Sequence, residues 1–134
     1  MKIVFTRHPL TDAQDRDLRA APGGVGYLHR ADLANIEITN MYDATAIVAE
    51  LCRMFSRRPK DDLLCELYGV FPAPIRHALL TLDIMHVGLG GGSAIVALYE
   101  SFNIQRSVEG QKPTFEYAGW LVTGYFEIPE LSFS

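Results

Sequence analysis

The chain has 134 residues, the length of one ordinary domain, and 49% of them are hydrophobic, enough for a core. Its formal net charge of −4 excludes a general duplex-DNA binder, which needs a basic face against phosphates. No run approaches the roughly 18 apolar residues of a membrane span, and the opening MKIVFTRHP is too short an apolar run for a signal peptide.

In chain order, Lys2 to Thr6 is a short, continuous, β-branched run, the pattern of a strand buried on both faces. Arg7, His8 and Pro9 end it. Thr11 or Asp12 caps a charged helix from Ala13 to Ala21, because a short side-chain oxygen accepts from the free N–H groups of a first turn. Pro22-Gly23-Gly24 stops that helix. Val25 to Leu28 is a second candidate strand, and the stretch from Arg30 to Asn40 is ambiguous. Asn40 or Asp43 then opens the clearest helix. Its apolar positions Ala44, Ile47, Val48, Leu51, Cys52 and Phe55 follow helical spacing, and Ser56-Arg57-Arg58-Pro59 ends it.

The middle of the chain predicts a short helix from Asp61 to Tyr68, ending at Gly69. A rigid turn at Phe71-Pro72-Ala73-Pro74 follows, then a further helix from Pro74 to about Leu80. Thr81 to Val87 reads as a strand, the glycine run 88–92 as a turn, and Ser93 to Phe102 as a helix. Ile104 to Val108 and Thr114 to Ile128 close the chain as β structure, with Gly119 and Gly124 as bulge markers and Gly110 in the turn. This order predicts a single α/β domain over residues 1–134, Rossmann-like, with a mostly parallel sheet and an antiparallel C-terminal edge. Cys52 and Cys65 lie in apolar surroundings at no metal-ligand spacing. The expectation is reduced, structural cysteine in a cytoplasmic protein with neither metal nor cofactor.

Two turns carry candidate chemistry. In VGLGGGSAIV, Gly88, Gly90, Gly91 and Gly92 let the backbone approach a ligand, and a helix starting at Ser93 would aim free N–H groups at an anion. The P-loop lysine is missing, so this is not an ATP-hydrolysing loop. At the end of the first strand, Arg7 offers a planar fork for phosphate and His8 an acid or base near neutral pH. Surface charge and turn residue are the plain alternatives for these two. Both turns are expected at carboxyl ends of strands, where open parallel sheets bind ligands, and hence in one shared crevice. Arg106 and Lys112, in the following hairpin, are further candidates to close over an anion.

The opening KIVFTRHPLTDAQ, an apolar strand followed by H-x-L-T-x-x-Q, resembles the start of small accessory proteins encoded beside type III CRISPR systems. DIMHVGLGGGSAIVALYESFNIQRS takes the place of their later glycine-bearing turn and C-terminal β segment, whereas Arg57 to Leu79 has no counterpart. That group includes ring nucleases, which degrade cyclic oligoadenylate messengers. The resemblance implies a homodimer that binds a cyclic oligonucleotide and cleaves it without a metal. The ribose 2′-OH would attack the adjacent phosphate, with Arg7 and the backbone of Gly90 to Ser93 on phosphate and His8 or Thr11 near the 2′-OH. Two readings stay open beside it: a sponge that binds the messenger without cutting it, and a non-enzymatic interaction protein from a phage or mobile element. Exposed aromatics around Tyr117, Trp120, Tyr125 and Phe126 would suit the latter.

Overall fold

The computed structural model describes residues 1–59, 61–86 and 93–129. The elements are β1 (Lys2–Phe5), α1 (Asp12–Ala20), β2 (Leu28–His29), α2 (Ala31–Ala34), α3 (Met41–Ser56), β3 (Cys65–Gly69), α4 (Ala73–His86), β4 (Ser93–Arg106) and β5 (Thr114–Pro129). They form one five-stranded sheet in the order β2-β1-β3-β4-β5. The β2–β1, β1–β3 and β3–β4 pairs are parallel, and β4–β5 is antiparallel. The expected α/β class, mostly parallel sheet and antiparallel C-terminal edge are all present. Among the described residues, no helix is long and apolar enough to cross a membrane.

The strands divide their side chains between two faces, because successive residues point to opposite sides. Ile3 and Phe5 of β1, Cys65 and Leu67 of β3, and Val96 and Leu98 of β4 join the main core. That core packs against α3 through Ala44, Ile47, Val48, Leu51, Cys52 and Phe55, all buried, as their helical spacing predicts. Asn40 caps α3, its side chain accepting from Asp43 N at 3.0 Å. Ile75, Ala78 and Leu79 of α4 complete this layer. Val4, Tyr68 and Leu18 form a smaller cluster on the opposite face under α1. Thr11 caps α1 in a reciprocal box: its hydroxyl accepts from Gln14 N at 3.1 Å, and Gln14 Oε1 accepts from Thr11 N at 3.0 Å.

Three segments depart from the sequence expectation. Cys65 to Gly69 is not the end of a helix; it is β3, buried along its whole length at the centre of the sheet. Its Glu66 is tolerated there by polar partners that the local sequence does not reveal. Tyr68 OH donates to Glu66 Oε2 at 2.6 Å, and the buried Lys2 provides the opposite charge. Lys2 Nζ in turn donates to the carbonyls of Leu18 at 2.6 Å and Ala21 at 2.9 Å, and also to Gly24 O, at the end of α1. Burial pulls the Lys2 pKa down, against an upward pull from Glu66.

Thr81 to His86 continues α4 and is not a strand. Ser93 to Phe102 is the first part of β4 and is not a helix. The β-branched and aromatic residues of β4 fit a pleated surface that packs on both sides, with Val96 and Leu98 facing the main core and Tyr99 facing the α1 side.

Gly119 and Gly124 do mark irregularities. The β4–β5 register shifts between Leu98 and Tyr99, opposite Gly124, and between Phe102 and Asn103, opposite Gly119. Cys52 and Cys65 are free and buried, and burial pushes the Cys52 thiol up to about 11. Of the expected exposed aromatics, Tyr125 is 67% exposed, whereas Phe126 is 6% exposed and belongs to the core.

Among the described glycines, the one with least room for a side chain lies at the end of β3. A Cβ on Gly69 would stand 2.2 Å from the carbonyl oxygen of Phe5, its partner on β1. No side-chain adjustment relieves a clash with a backbone atom. Gly69→Ala is therefore expected to lower unfolding stability by about 3 kcal/mol, the upper range for overpacking. Urea unfolding followed by circular dichroism measures this, and an unchanged midpoint would contradict it.

Candidate functional site

β1 and β3 are neighbours that end level with one another, Phe5 opposite Gly69. Their connections then part. The chain leaving β1 runs to α1 on one face and on to β2; the chain leaving β3 runs to α4 on the other face and on to β4. In an open parallel sheet this divergence leaves a crevice beyond the carboxyl ends, where such folds bind ligands.

A cleft of about 660 Å³ lies there. Its first wall is Phe5, Thr6, Arg7 and His8 leaving β1, and its second is Val70, Pro72 and Pro74 leaving β3. The third wall, Leu33 to Ile38, is the end of α2 and the residues after it. Phe5 stacks on Phe71 beneath it, ring centroids 5.9 Å apart at 11°, a contact worth about 1 kcal/mol beyond its buried area.

The first and third walls are held by identifiable bonds. His29, at the end of β2, places Nε2 at 2.9 Å from Thr6 O and 3.0 Å from Thr6 Oγ1. The Thr6 hydroxyl donates to His8 O at 3.1 Å, which fixes the turn that carries Arg7 and His8. Arg7 and His8 are themselves exposed, with Arg7 Nε donating to His8 Nε2 at 3.3 Å. Arg30 anchors the third wall. Its backbone N donates to Val4 O at 2.9 Å, its guanidinium grips both oxygens of Asp32 at 2.9 and 2.8 Å, and Glu50 of α3 lies 3.7 Å away.

The structure brings together only part of the expected site. Arg7 and His8 line the cleft. Thr11 does not; its hydroxyl is engaged in capping α1. Gly88, Gly90, Gly91 and Gly92 lie outside the described residues. Ser93 opens β4 at the amino end of the sheet. Glu100 is the β4 residue level with Gly69, so Ser93 is roughly 23 Å from the cleft end at about 3.3 Å per residue. The shared crevice expected of the two turns is thus not formed at Ser93, because the segment before it leads into a strand and does not follow one.

Arg106 and Lys112 belong to the far end of the β4–β5 hairpin. Arg106 is roughly 20 Å beyond Glu100 along the strand and is paired with Glu116. Lys112 is exposed in the turn. Neither lines the cleft. Asn35 and Glu37, which do line it, were not legible in the sequence, because only the β2-β1-β3 strand order carries them to the end of β1.

No family model, no curated protein and no solved structure matches this chain.

The Arg30 clamp yields a pH prediction. Its two hydrogen bonds hold the Asp32 carboxyl at about 2, below the usual 3.8. A depressed acid pKa means the clamp is fully formed above pH 3.8 and is lost as pH falls through about 2. Carboxyl-carbon NMR titration should place the Asp32 midpoint near 2 and return it toward 3.8 in Arg30→Ala. A midpoint near 3.8 in the unsubstituted protein would contradict the clamp.

Proposed function

We propose that the cleft binds the phosphodiester of a nucleotide, and that the nucleotide is a cyclic oligoadenylate. The observation that carries this reading is Arg7 and His8 side by side on the wall of a cleft where the β1 and β3 connections diverge. The volume of about 660 Å³ falls within the range of small-molecule sites, roughly 300 to 1,000 Å³. Arg7 is exposed and its guanidinium offers a phosphate two parallel donors. Thr6 and Asn35 add polar contacts on neighbouring walls. The ligand class comes from the resemblance of the opening H-x-L-T-x-x-Q segment to the CRISPR accessory proteins. A two-fold symmetric ring would span two such clefts, one from each copy of a homodimer.

Cleavage is the further step of the same proposal. The ribose 2′ oxygen attacks the adjacent phosphorus as His8 takes its proton, and the bond from phosphorus to the 5′ oxygen breaks. The products are a 2′,3′-cyclic phosphate and a 5′-hydroxyl, whose proton comes from water. Arg7 leaves His8 Nε2 for the phosphate, which frees the lone pair that His8 needs as a base and offsets charge on the non-bridging oxygens.

A second reading, a non-enzymatic interaction protein, is favoured by one observation. The β4–β5 hairpin runs past the end of β3 and exposes Phe102, Ile104 and Phe115, the last at 70%.

Calorimetry with cyclic tetra-adenylate in EDTA tests the proposal. Binding is expected, with Arg7→Ala weakening it about tenfold or more, since hydrogen bonds to charged groups contribute about 1.5–3 kcal/mol. His8→Ala is expected to keep binding within a few fold and to abolish linear product on chromatography. Binding without product in the unsubstituted protein would leave a sponge. The absence of binding at high micromolar ligand would overturn the proposal and favour the interaction protein.

A further inference from the structure

A second pocket, of about 280 Å³, lies on the opposite face of the sheet beside α1. It is lined by Asp17, Ala21, Tyr68, Tyr99, Gly119 and Trp120. The Tyr68 and Tyr99 rings stack with centroids 4.4 Å apart at 10°, and Trp120 stands at 86° to Tyr68 with centroids 5.4 Å apart. Two aromatic walls therefore meet at a right angle. Trp120 is fixed there by its indole N–H, which donates to Gln14 O at 3.3 Å. Tyr117 braces the arrangement from outside, its ring at 64° to Trp120 and its hydroxyl donating to Asp17 Oδ2 at 2.7 Å. Gly119 leaves a gap in the wall: a Cβ there would meet nothing within 4 Å.

The charge on this pocket is Asp17. Arg16 reaches its Oδ1 at 3.4 Å, but Arg16 is 74% exposed, and so long and exposed a pair is screened by solvent. Lys2, which bonds the Ala21 carbonyl, is the nearby buried cation, and it is matched by Glu66 behind Tyr68. Glu66 Oε1 has no hydrogen-bond partner, and the charge that Glu66 carries is met by Lys2. No basic side chain lines the pocket itself. Ring faces that carry negative π density, set at right angles with a carboxylate beside them, complement an alkylated ammonium group and repel a phosphate.

We propose that the pocket formed by Tyr68, Tyr99, Trp120 and Asp17 binds a small organic cation of the quaternary or alkylated ammonium class. It is separate from the cleft at the end of β1 and of opposite charge preference. Trp120 is the single tryptophan of the chain, so its emission reports on this pocket alone. Choline chloride, titrated at constant ionic strength, is expected to change that emission saturably. Its neutral isostere 3,3-dimethylbutan-1-ol is expected to bind about tenfold more weakly, the difference being the cation–π and carboxylate attraction. Asp17→Asn, which keeps the shape, and Tyr99→Leu, which removes one ring, should each weaken choline about tenfold while circular dichroism stays unchanged. Equal affinity for choline and its neutral isostere would overturn the proposal, as would the lack of a saturable change. If Asp17→Asn unfolds, the isostere comparison on the unsubstituted protein still decides.

Discussion

Everything on the carboxyl side of this sheet depends on how closely β1 and β3 approach. Gly69 passes beneath the carbonyl of Phe5 with no room for a methyl group. That contact lets two central strands end level, and two level strands whose connections diverge leave a cleft between them. The cleft is thus a product of the strand order and one missing side chain. Thr6, Arg7 and His8 are there because they are the residues the chain reaches next after Phe5.

The two faces of the sheet are built by different means. The α3–α4 face is apolar packing throughout, from Ile3 and Phe5 to Phe55 and Ile128. The α1 face combines a small apolar cluster with buried polar groups, Lys2, Glu66 and Tyr68. Lys2 there does the work of a C-terminal cap, since three carbonyls at and beyond the end of α1 converge on its ammonium. Removing one partner of such a buried pair leaves the other charge uncompensated, which is costly even where the intact pair adds little net stability. The aromatic pocket beside α1 is a consequence of the same arrangement. Tyr68 must face Glu66, and Tyr99 and Trp120 pack around it.

Elements whose pattern matches their burial were legible in the sequence. The spacing of Ala44 to Phe55 gave α3, the short β-branched run gave β1, and Gly119 and Gly124 marked the bulges of β5. Segments whose burial depends on distant partners were not. Cys65 to Gly69 is too short for periodicity to separate helix from strand, and Asp61 and Asp62 before it fit a helix start equally well. What makes it a strand is its pairing with β1 and β4, and the charge opposite its Glu66 comes from Lys2, more than sixty positions away. The glycine run invited a strand-turn-helix template, although Ile95, Val96, Tyr99 and Ile104 after it favour a strand. The site was half legible for the same reason. Arg7 and His8 follow a recognisable strand, whereas Asn35 and Glu37 reach the cleft only through the order of three strands.

Amide chemical-shift mapping with cyclic tetra-adenylate tests the central claim most directly, because it locates the ligand without assuming chemistry. The largest shifts are expected on Thr6 to His8, Asn35 to Glu37 and Val70, the three walls of the cleft. Shifts centred on Tyr99 and Trp120, or none above the noise, would contradict it.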